Sequence, residues 1–190
     1  YRGVVATPGQ LASGRYMISR PLILPRSGAY TAHGIALIGG NPNSTTIAAL
    51  PRFPRDRGLI EWEPVATRVS GQRIVGLGLD VANTGARCIW FQPRDKTDWA
   101  HVDAESLYGI HLRDLVLFGN NTTTPVLIKI EGRMDYSRIE HVIADCVRGS
   151  APIHSTVVLQ FDSDLLGAPP WARLLDYPGF NFGTIDTIRQ

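Results

Sequence analysis

The sequence predicts an all-β protein whose short strands stack in successive coils as a parallel β-helix. Three observations lead to this class. Apolar residues alternate over short runs that Gly, Asn and Pro bound, which is typical of half-buried strands. Similar runs with an acidic residue near the centre recur along the chain, as in a solenoid. No stretch has the 3.6-residue period of an amphipathic helix.

The composition sets limits on the class of protein. Of 190 residues, 44% are apolar and 19% are charged, so a sizeable core is possible and disorder is disfavoured. The 19 Gly and 13 Pro favour many turns and short strands. A net charge of +2 is too small to indicate nucleic acid or an anionic membrane as a partner. No apolar run approaches the roughly 18 residues of a membrane span, so membrane insertion is not expected.

Strands and turns alternate through the N-terminal part of the chain. The predicted strands are 16–18, 22–24, 34–38 and 45–50, separated by Gly, Pro, Asn and Ser turns. Residues 51–57, which include Arg52, form a basic loop rather than an anion site. A further strand is predicted within 59–68.

The middle of the chain repeats a pair of strands. Residues 71–81 have alternating apolar positions, and 86–91 form the partner run. A polar excursion over 93–106, which carries Trp99, separates them from the clearest pair, at 112–118 and 126–130. Further runs follow at 136–147, 157–161 and 183–188.

Four of these runs align on a central acidic residue. The segments are 77–81, 112–116, 138–142 and 183–187, and the acidic residues are Asp80, Asp114, Glu140 and Asp186. Their separations are 34, 26 and 46 residues (114 − 80, 140 − 114 and 186 − 140). The shortest is close to one coil of about 22–28 residues, and the longer ones equal a coil plus an excursion. Stacked coils tolerate such insertions as outward loops, and the chain lacks the AsnGly and AspGly dipeptides of tight hairpins, so a solenoid is favoured over a sandwich.

The predicted organisation is a single domain over residues 1–190 with about six to seven coils. Residues 1–12 lead in, 13–161 hold the main coils, 162–182 are an aromatic-rich excursion, and 183–190 begin a further coil. The chain starts at Tyr1 and ends within a predicted strand, which suggests a piece of a longer polypeptide.

Two consecutive segments resemble a known superfamily. Residues 13–25, SGRYMISRPLILP, resemble the first coil of pectate-lyase-like right-handed β-helices, written L-P-x-G-x-Y-x-I-x-x-P-L-x-I-P. Residues 34–47, GIALIGGNPNSTTI, are similar to the coil that follows in that superfamily. The resemblance covers residues 10–50 by motif and 70–161 by the repeat, and it departs from the family where a Pro is missing before Ser13. It implies a right-handed, single-stranded β-helix, and the fold hosts polysaccharide lyases and hydrolases, viral tailspikes and fibres, and adhesins.

The acidic residues of the aligned runs have two readings. Stacked carboxylates could serve glycoside hydrolysis, which needs two of them about 5–10 Å apart. Acidic residues at a bend between strands also satisfy backbone groups through local hydrogen bonds. The second reading is preferred, so Asp80, Asp114, Glu140 and Asp186 are predicted to form a structural bend column. No cluster supplies the converging oxygens that calcium needs, and no metal is predicted.

Asp162 and Asp164 are a second candidate for catalysis. They lie two residues apart on an extended segment, so they face the same side, and they border the aromatic excursion. Trp171 and Tyr177 in that excursion, together with Trp99, are candidates for stacking on sugars. The alternative is a solvated turn beside aromatic side chains that pack on the rod or on a neighbouring subunit.

The remaining residues of chemical interest predict no cofactor. His101, His111, His141 and His154 lack the spacing of a zinc site. Cys88 and Cys146, the only cysteines, lie in apolar contexts, where buried thiols are favoured over a disulfide that stays possible.

The functional expectation follows from the resemblance and the lack of a clear catalytic cluster. The chain is expected to be a virion-associated tailspike, fibre or capsid-spike protein, at the virion surface or extracellular. It would present a rigid rod to host surface polysaccharide as a homotrimer, beside other virion proteins. Two alternatives remain open: a secreted polysaccharide lyase or hydrolase, and a non-catalytic scaffold that binds only its own copies.

Overall fold

The computed structural model contains strands and turns and, within the residues it describes, no helix. It describes residues 9–24, 36–62, 69–81, 84–92, 107–119, 126–131, 134–145, 157–162, 180–181 and 184–189. Every strand pairing among them is parallel. The predicted all-β class is therefore confirmed.

The described residues form eighteen strands. In chain order they are β1 (Gly9–Leu11), β2 (Gly14–Ile18), β3 (Leu22–Leu24), β4 (Ala36–Gly39), β5 (Thr45–Ala49), β6 (Gly58–Trp62), β7 (Val69–Ser70), β8 (Arg73–Val75), β9 (Gly78–Asp80), β10 (Arg87–Phe91), β11 (Leu107–Tyr108), β12 (His111–Phe118), β13 (Val126–Glu131), β14 (Met134–Asp135), β15 (Arg138–Asp145), β16 (Val157–Asp162), β17 (Phe180–Asn181) and β18 (Thr184–Arg189).

The strands belong to three sheets, named A, B and C here. Sheet A has nine strands, in the order β1-β4-β8-β12-β9-β5-β2, with β15 beside β12 and β18 beside β15. Sheet B runs β16-β13-β10-β6-β3, and sheet C runs β17-β14-β11-β7. From β5 onward the chain visits A, B and C in a constant rotation. A strand therefore pairs with the strand one rotation later and not with the next strand along the chain.

The register of sheet A relates successive rotations of the chain. His111 on β12 lies opposite Arg138 on β15, in the following rotation. It also lies opposite Arg73 on β8, in the preceding rotation. Each rotation thus lays its sheet A strand directly beside that of the rotation before it.

This register differs in part from the alignment of the acidic residues. Asp80 lies opposite Phe118 and not opposite Asp114, with which the alignment matched it. Glu140 does lie opposite Asp186. The alignment matched acidic residues, whereas the backbone register is set by which side chains enter the core.

The core is made by inward side chains of successive strands. On β12 these are Leu112, Leu115 and Leu117, and on β15 they are Ile139, Val142 and Ala144, all buried. Burying each large aliphatic side chain stabilises the fold by about 1.5–3 kcal/mol. In a regular strand every second side chain points inward, but Leu112 and Leu115 are three residues apart and both point into the core. The strand therefore bends between them.

Left-handed residues make that bend. Gly76, Asp114 and His141 have φ values of 67°, 50° and 50°. Val75 on β8, Arg113 on β12 and Glu140 on β15 are consecutive Cα partners. The three left-handed residues directly follow these partners, so they share one register position. At this position the rotation before β12 is divided into β8 and β9, whereas β12 continues through it as one strand. Asp114 is thus a bend residue, and Asp80 lies beyond the bend.

Candidate functional site

A cleft of about 210 Å³ opens on the outer face of sheet A, beyond the bend. Arg15, Asp80, Phe118 and Asp145 line it, together with Asn43, Thr46 and Gly119. We call it the Asp80 cleft. It contains two carboxylates, a guanidinium and an aromatic ring, which are the groups that hydrogen-bond to sugar hydroxyls and pack on apolar sugar faces.

The parallel register brings these side chains together. Asp80 on β9, Phe118 on β12 and Asp145 on β15 are consecutive Cα partners. Side chains at one register position point to the same face, and here their inward neighbours Leu79 and Leu117 are fully buried. Asp80 and Asp145 therefore both face outward, with backbones roughly 9.6 Å apart, two strand spacings.

Arg15 reaches the cleft from β2. Its Nη2 lies 2.5 Å from Oδ2 of Asp80, and the exposed fractions of the two side chains are 52% and 14%. This ion pair holds Asp80 at the rim of the cleft. Because the arginine is largely exposed, the pair contributes little to stability, and its value is in orienting the carboxylate.

A turn forms the wall of the cleft. Asn41 accepts hydrogen bonds from the backbone N–H groups of Ser44 and Thr45, and its Oδ1 accepts one from the N–H of Asn43. The turn packs on Gly78, where a Cβ atom would come within 2.5 Å of the Pro42 carbonyl oxygen. Gly78 therefore permits the close approach that shapes this side of the cleft.

Glu140, on the near side of the bend, and Asp114, at the bend itself, each have a histidine partner. Glu140 Oε2 lies 3.0 Å from Nε2 of His111, and Asp114 Oδ1 lies 3.2 Å from Nδ1 of His141. Asp114 also pairs with Arg113 at 3.0 Å. The structure thus separates Asp80 from the other acidic residues of the aligned runs. For Asp186 the structure describes the backbone position alone, opposite Glu140.

A second polar cluster lies on sheet B and serves packing. Glu131, 4% exposed, accepts hydrogen bonds from Trp90 Nε1 and from Lys129 Nζ, both at 2.7 Å. The Arg87 guanidinium lies 4.3 Å from the centre of the Trp90 ring, and burial lowers the pKa of Arg87. On β6, Glu61 accepts hydrogen bonds from the Arg57 side chain, which raises the pKa of Arg57. The carboxylates of this cluster have hydrogen-bond donors, whereas the buried Nε of Arg87 has no hydrogen-bond partner among the described residues.

The candidates in the aromatic excursion are mostly outside the described residues. These are Asp164, Trp171 and Tyr177, and the same holds for Trp99 and for Cys146. Asp162 ends β16 opposite Glu131. Cys88 is buried and its Sγ donates a hydrogen bond to the Leu79 carbonyl oxygen at 3.4 Å.

The sequence analysis did not identify Arg15, Phe118 or Asp145. Phe118 and Asp145 could have been found from the number of residues that separates paired positions on neighbouring strands. The offset between β9 and β12 joins Asp80 to Phe118, and the offset between β12 and β15 joins Phe118 to Asp145. The acidic alignment used a shorter offset for Asp80 and so brought the wrong residues together.

No group of three or more His, Cys, Asp or Glu side chains in the described part of the chain could hold a metal ion. Within the same residues no helix is long and apolar enough to cross a membrane.

Comparison with known proteins found no relative of this chain. No protein-family model, no curated protein and no solved structure matches this chain.

Proposed function

We propose that this chain is a right-handed parallel β-helix that forms a rigid, virion-associated rod and attaches to host surface glycans through the Asp80 cleft. The rotation of the chain through three all-parallel sheets supports the β-helix. The resemblance of residues 13–25 and 34–47 to pectate-lyase-like proteins supports its handedness. In this proposal the protein has a tailspike, fibre or spike role at the virion surface.

The cleft is the observation that carries attachment. Phe118 offers a partly exposed ring between two carboxylates, and Arg15 adds a cationic donor. Sugars are recognised by such a combination, because aromatic faces cover their C–H surfaces while charged groups hydrogen-bond their hydroxyls. A rigid sheet is a good support for this site, since ligand-binding groups on strands are held more precisely than groups on loops.

Glycan binding by the wild-type protein and by the Asp80→Asn, Asp145→Asn double variant tests this. Polysaccharides from a range of bacterial and eukaryotic cell surfaces would be immobilised and binding measured by interferometry. We expect the variant to bind about tenfold or more weakly, because carboxylate hydrogen bonds contribute about 1.5–3 kcal/mol each. Asp56→Asn, an exposed position outside the cleft, is the matched control. Unchanged binding by the double variant, with its fold intact by circular dichroism, would refute the role of the cleft.

A hydrolase is the second candidate, and the same two carboxylates favour it. Inverting glycosidases place an acid and a base roughly 6.5–9.5 Å apart, close to the backbone separation of Asp80 and Asp145. This reading predicts that the wild-type protein releases reducing ends from a polysaccharide that it binds, and that either single Asn variant stops the release. Binding without any product would leave attachment as the function.

The proposal includes a homotrimer. Met17 and Ile143, 45% and 48% exposed, lie on the outer face of sheet A, and Ile23, 43% exposed, lies on sheet B. Outer faces of parallel sheets are normally covered, and cyclic packing of three rods would cover them. Native mass spectrometry that shows only monomer at micromolar concentration would argue against the trimer. A stable oligomer that binds no glycan would favour a purely structural scaffold.

A further inference from the structure

Three basic side chains share one register position on the near side of the bend. Arg73 on β8, His111 on β12 and Arg138 on β15 are consecutive Cα partners on neighbouring strands. Both arginines are exposed, and His111 between them is 23% exposed. The backbones of the two arginines are roughly 9.6 Å apart, which is two strand spacings. We call this row the arginine–histidine face.

The two arginines of this row have no counter-charge in the described part of the chain. The side chains of Arg73 and Arg138 form no ion pair with any described residue. The nearby carboxylates are engaged elsewhere, Glu140 with His111 and Asp114 with Arg113 and His141.

His111 is held in place between the two arginines. Its Nε2 lies 3.0 Å from Glu140 Oε2, which fixes the orientation of the ring. Its Nδ1 has no hydrogen-bond partner in the described part of the chain. Both ring nitrogens donate when histidine is protonated. In that form Nδ1 is a third donor, beside two guanidiniums that can each bind an anion through two N–H groups.

An aromatic pair lies beside the row. The Tyr108 and Tyr136 rings are 5.0 Å apart, and Tyr136 precedes Arg138 by two residues. Tyr136 is 53% exposed and has a φ of 49°, at a register position that Gly71 and Gly109 occupy on the preceding strands. An L residue in this left-handed conformation is strained, and strained residues of this kind are concentrated at ligand sites.

From these features we infer that the arginine–histidine face binds an anionic group, a sulfate, phosphate or carboxylate carried by a glycan. The identity of the ligand as a glycan rests on the proposed function. The anion contacts Arg73, His111 and Arg138, and the sugar ring that carries it packs on Tyr108 and Tyr136. This site is separate from the Asp80 cleft, which lies beyond the bend.

Titration with inorganic sulfate tests the anion site directly. Binding would be followed by NMR, with chloride used to keep the ionic strength constant. The Arg73→Gln, Arg138→Gln double variant should lose about tenfold or more in affinity, because it removes both guanidiniums.

Arg52→Gln removes an exposed arginine away from the face and is the control for net charge. Sulfate binding by the double arginine variant at wild-type affinity would overturn the inference.

A set of oligosaccharides with one backbone, in neutral, sulfated, phosphorylated and uronate forms, tests the glycan part. We expect preference for the anionic forms, lost in the double arginine variant and kept in the Asp80→Asn, Asp145→Asn variant. Binding of neutral and anionic forms with equal affinity through the Asp80 cleft would overturn this inference and leave the proposed function standing. Binding of free sulfate with no oligosaccharide bound would support the anion site and contradict both the glycan ligand and the proposed function.

Discussion

At the scale of single residues, the bend across sheet A depends on what the chain places at one register position. Gly76, Asp114 and His141 are all left-handed there, but only glycine adopts that conformation without strain. Asp tolerates it through local hydrogen bonds, and here the Asp114 carboxylate also pairs with His141 on the next strand. The sequence predicted a bend residue at Asp114, because acidic residues satisfy backbone groups at bends between strands. The equivalence of Gly76 and His141 required the register.

Gly76→Ala should be strongly destabilising. Its φ is 67°, and a Cβ atom would lie 2.7 Å from the Gly39 carbonyl oxygen, which is backbone and cannot rotate away. We expect a loss of about 2–4 kcal/mol in the free energy of unfolding, the sum of left-handed strain and a backbone clash.

Urea unfolding followed by circular dichroism would measure the loss. Gly40→Ala is the matched control, because the nearest atom to its Cβ would be Thr45 Oγ1 at 4.0 Å, and its φ is not in the left-handed region. It should change the stability by less than about 0.5 kcal/mol. Equal unfolding midpoints for the two variants would contradict this account of the bend.

At the scale of elements, the strands were more predictable than their partners. The predicted runs 22–24, 86–91, 126–130 and 157–161 correspond within a residue to β3, β10, β13 and β16. Alternation and turn residues are local signals, so a strand can be read from a few neighbours. Sheet B also contains what no local pattern predicts, a buried carboxylate at Glu131 that two strands satisfy.

Glu131→Met should destabilise sheet B by about 3 kcal/mol, because it removes the buried carboxylate that pairs with the partly buried Lys129 ammonium and accepts the hydrogen bond of Trp90. The side chains of Lys129 and Glu131 are 15% and 5% exposed, so solvent compensates little.

Adding Lys129→Met in the same chain should recover part of the loss, since the ammonium that pairs with Glu131 is then removed as well. Chemical denaturation of the two single variants and the double variant gives this coupling as a double-mutant cycle. Arg113→Ala, which breaks an exposed pair with Asp114, is the comparison and should cost about 0.5 kcal/mol or less. A double variant less stable than Glu131→Met would contradict the pairing.

At the scale of the whole molecule, the constant rotation through sheets A, B and C makes a direct prediction. Deletion of residues 111–137 removes β12, β13 and β14, which is one full rotation, because His111 and Arg138 are register partners. Strand β15 then follows Ile110 and can pair with β8 and β9 as β12 did. In the proposed β-helix each rotation contacts only its neighbours, so we expect a folded, cooperative and less stable protein.

Deletion of residues 111–124 is the control, because it removes β12 alone and takes the chain from sheet C directly to sheet B. That protein should be unfolded or aggregated. Circular dichroism and thermal unfolding of both deletions separate the cases. If both proteins unfold, or both stay folded, the proposed β-helix loses its main support.

Local sequence signals were enough to predict the all-β class and most strand positions, because alternation and turn residues act over a few residues. The tertiary structure was needed to decide which residues meet. Asp80 joined Arg15, Phe118 and Asp145, and Arg73 joined His111 and Arg138, because register is set by core packing between strands that lie one or more rotations apart in the chain. A small shift in register moved the interpretation of Asp80 from a bend column to a cleft, since a register error changes every partner of a strand at once.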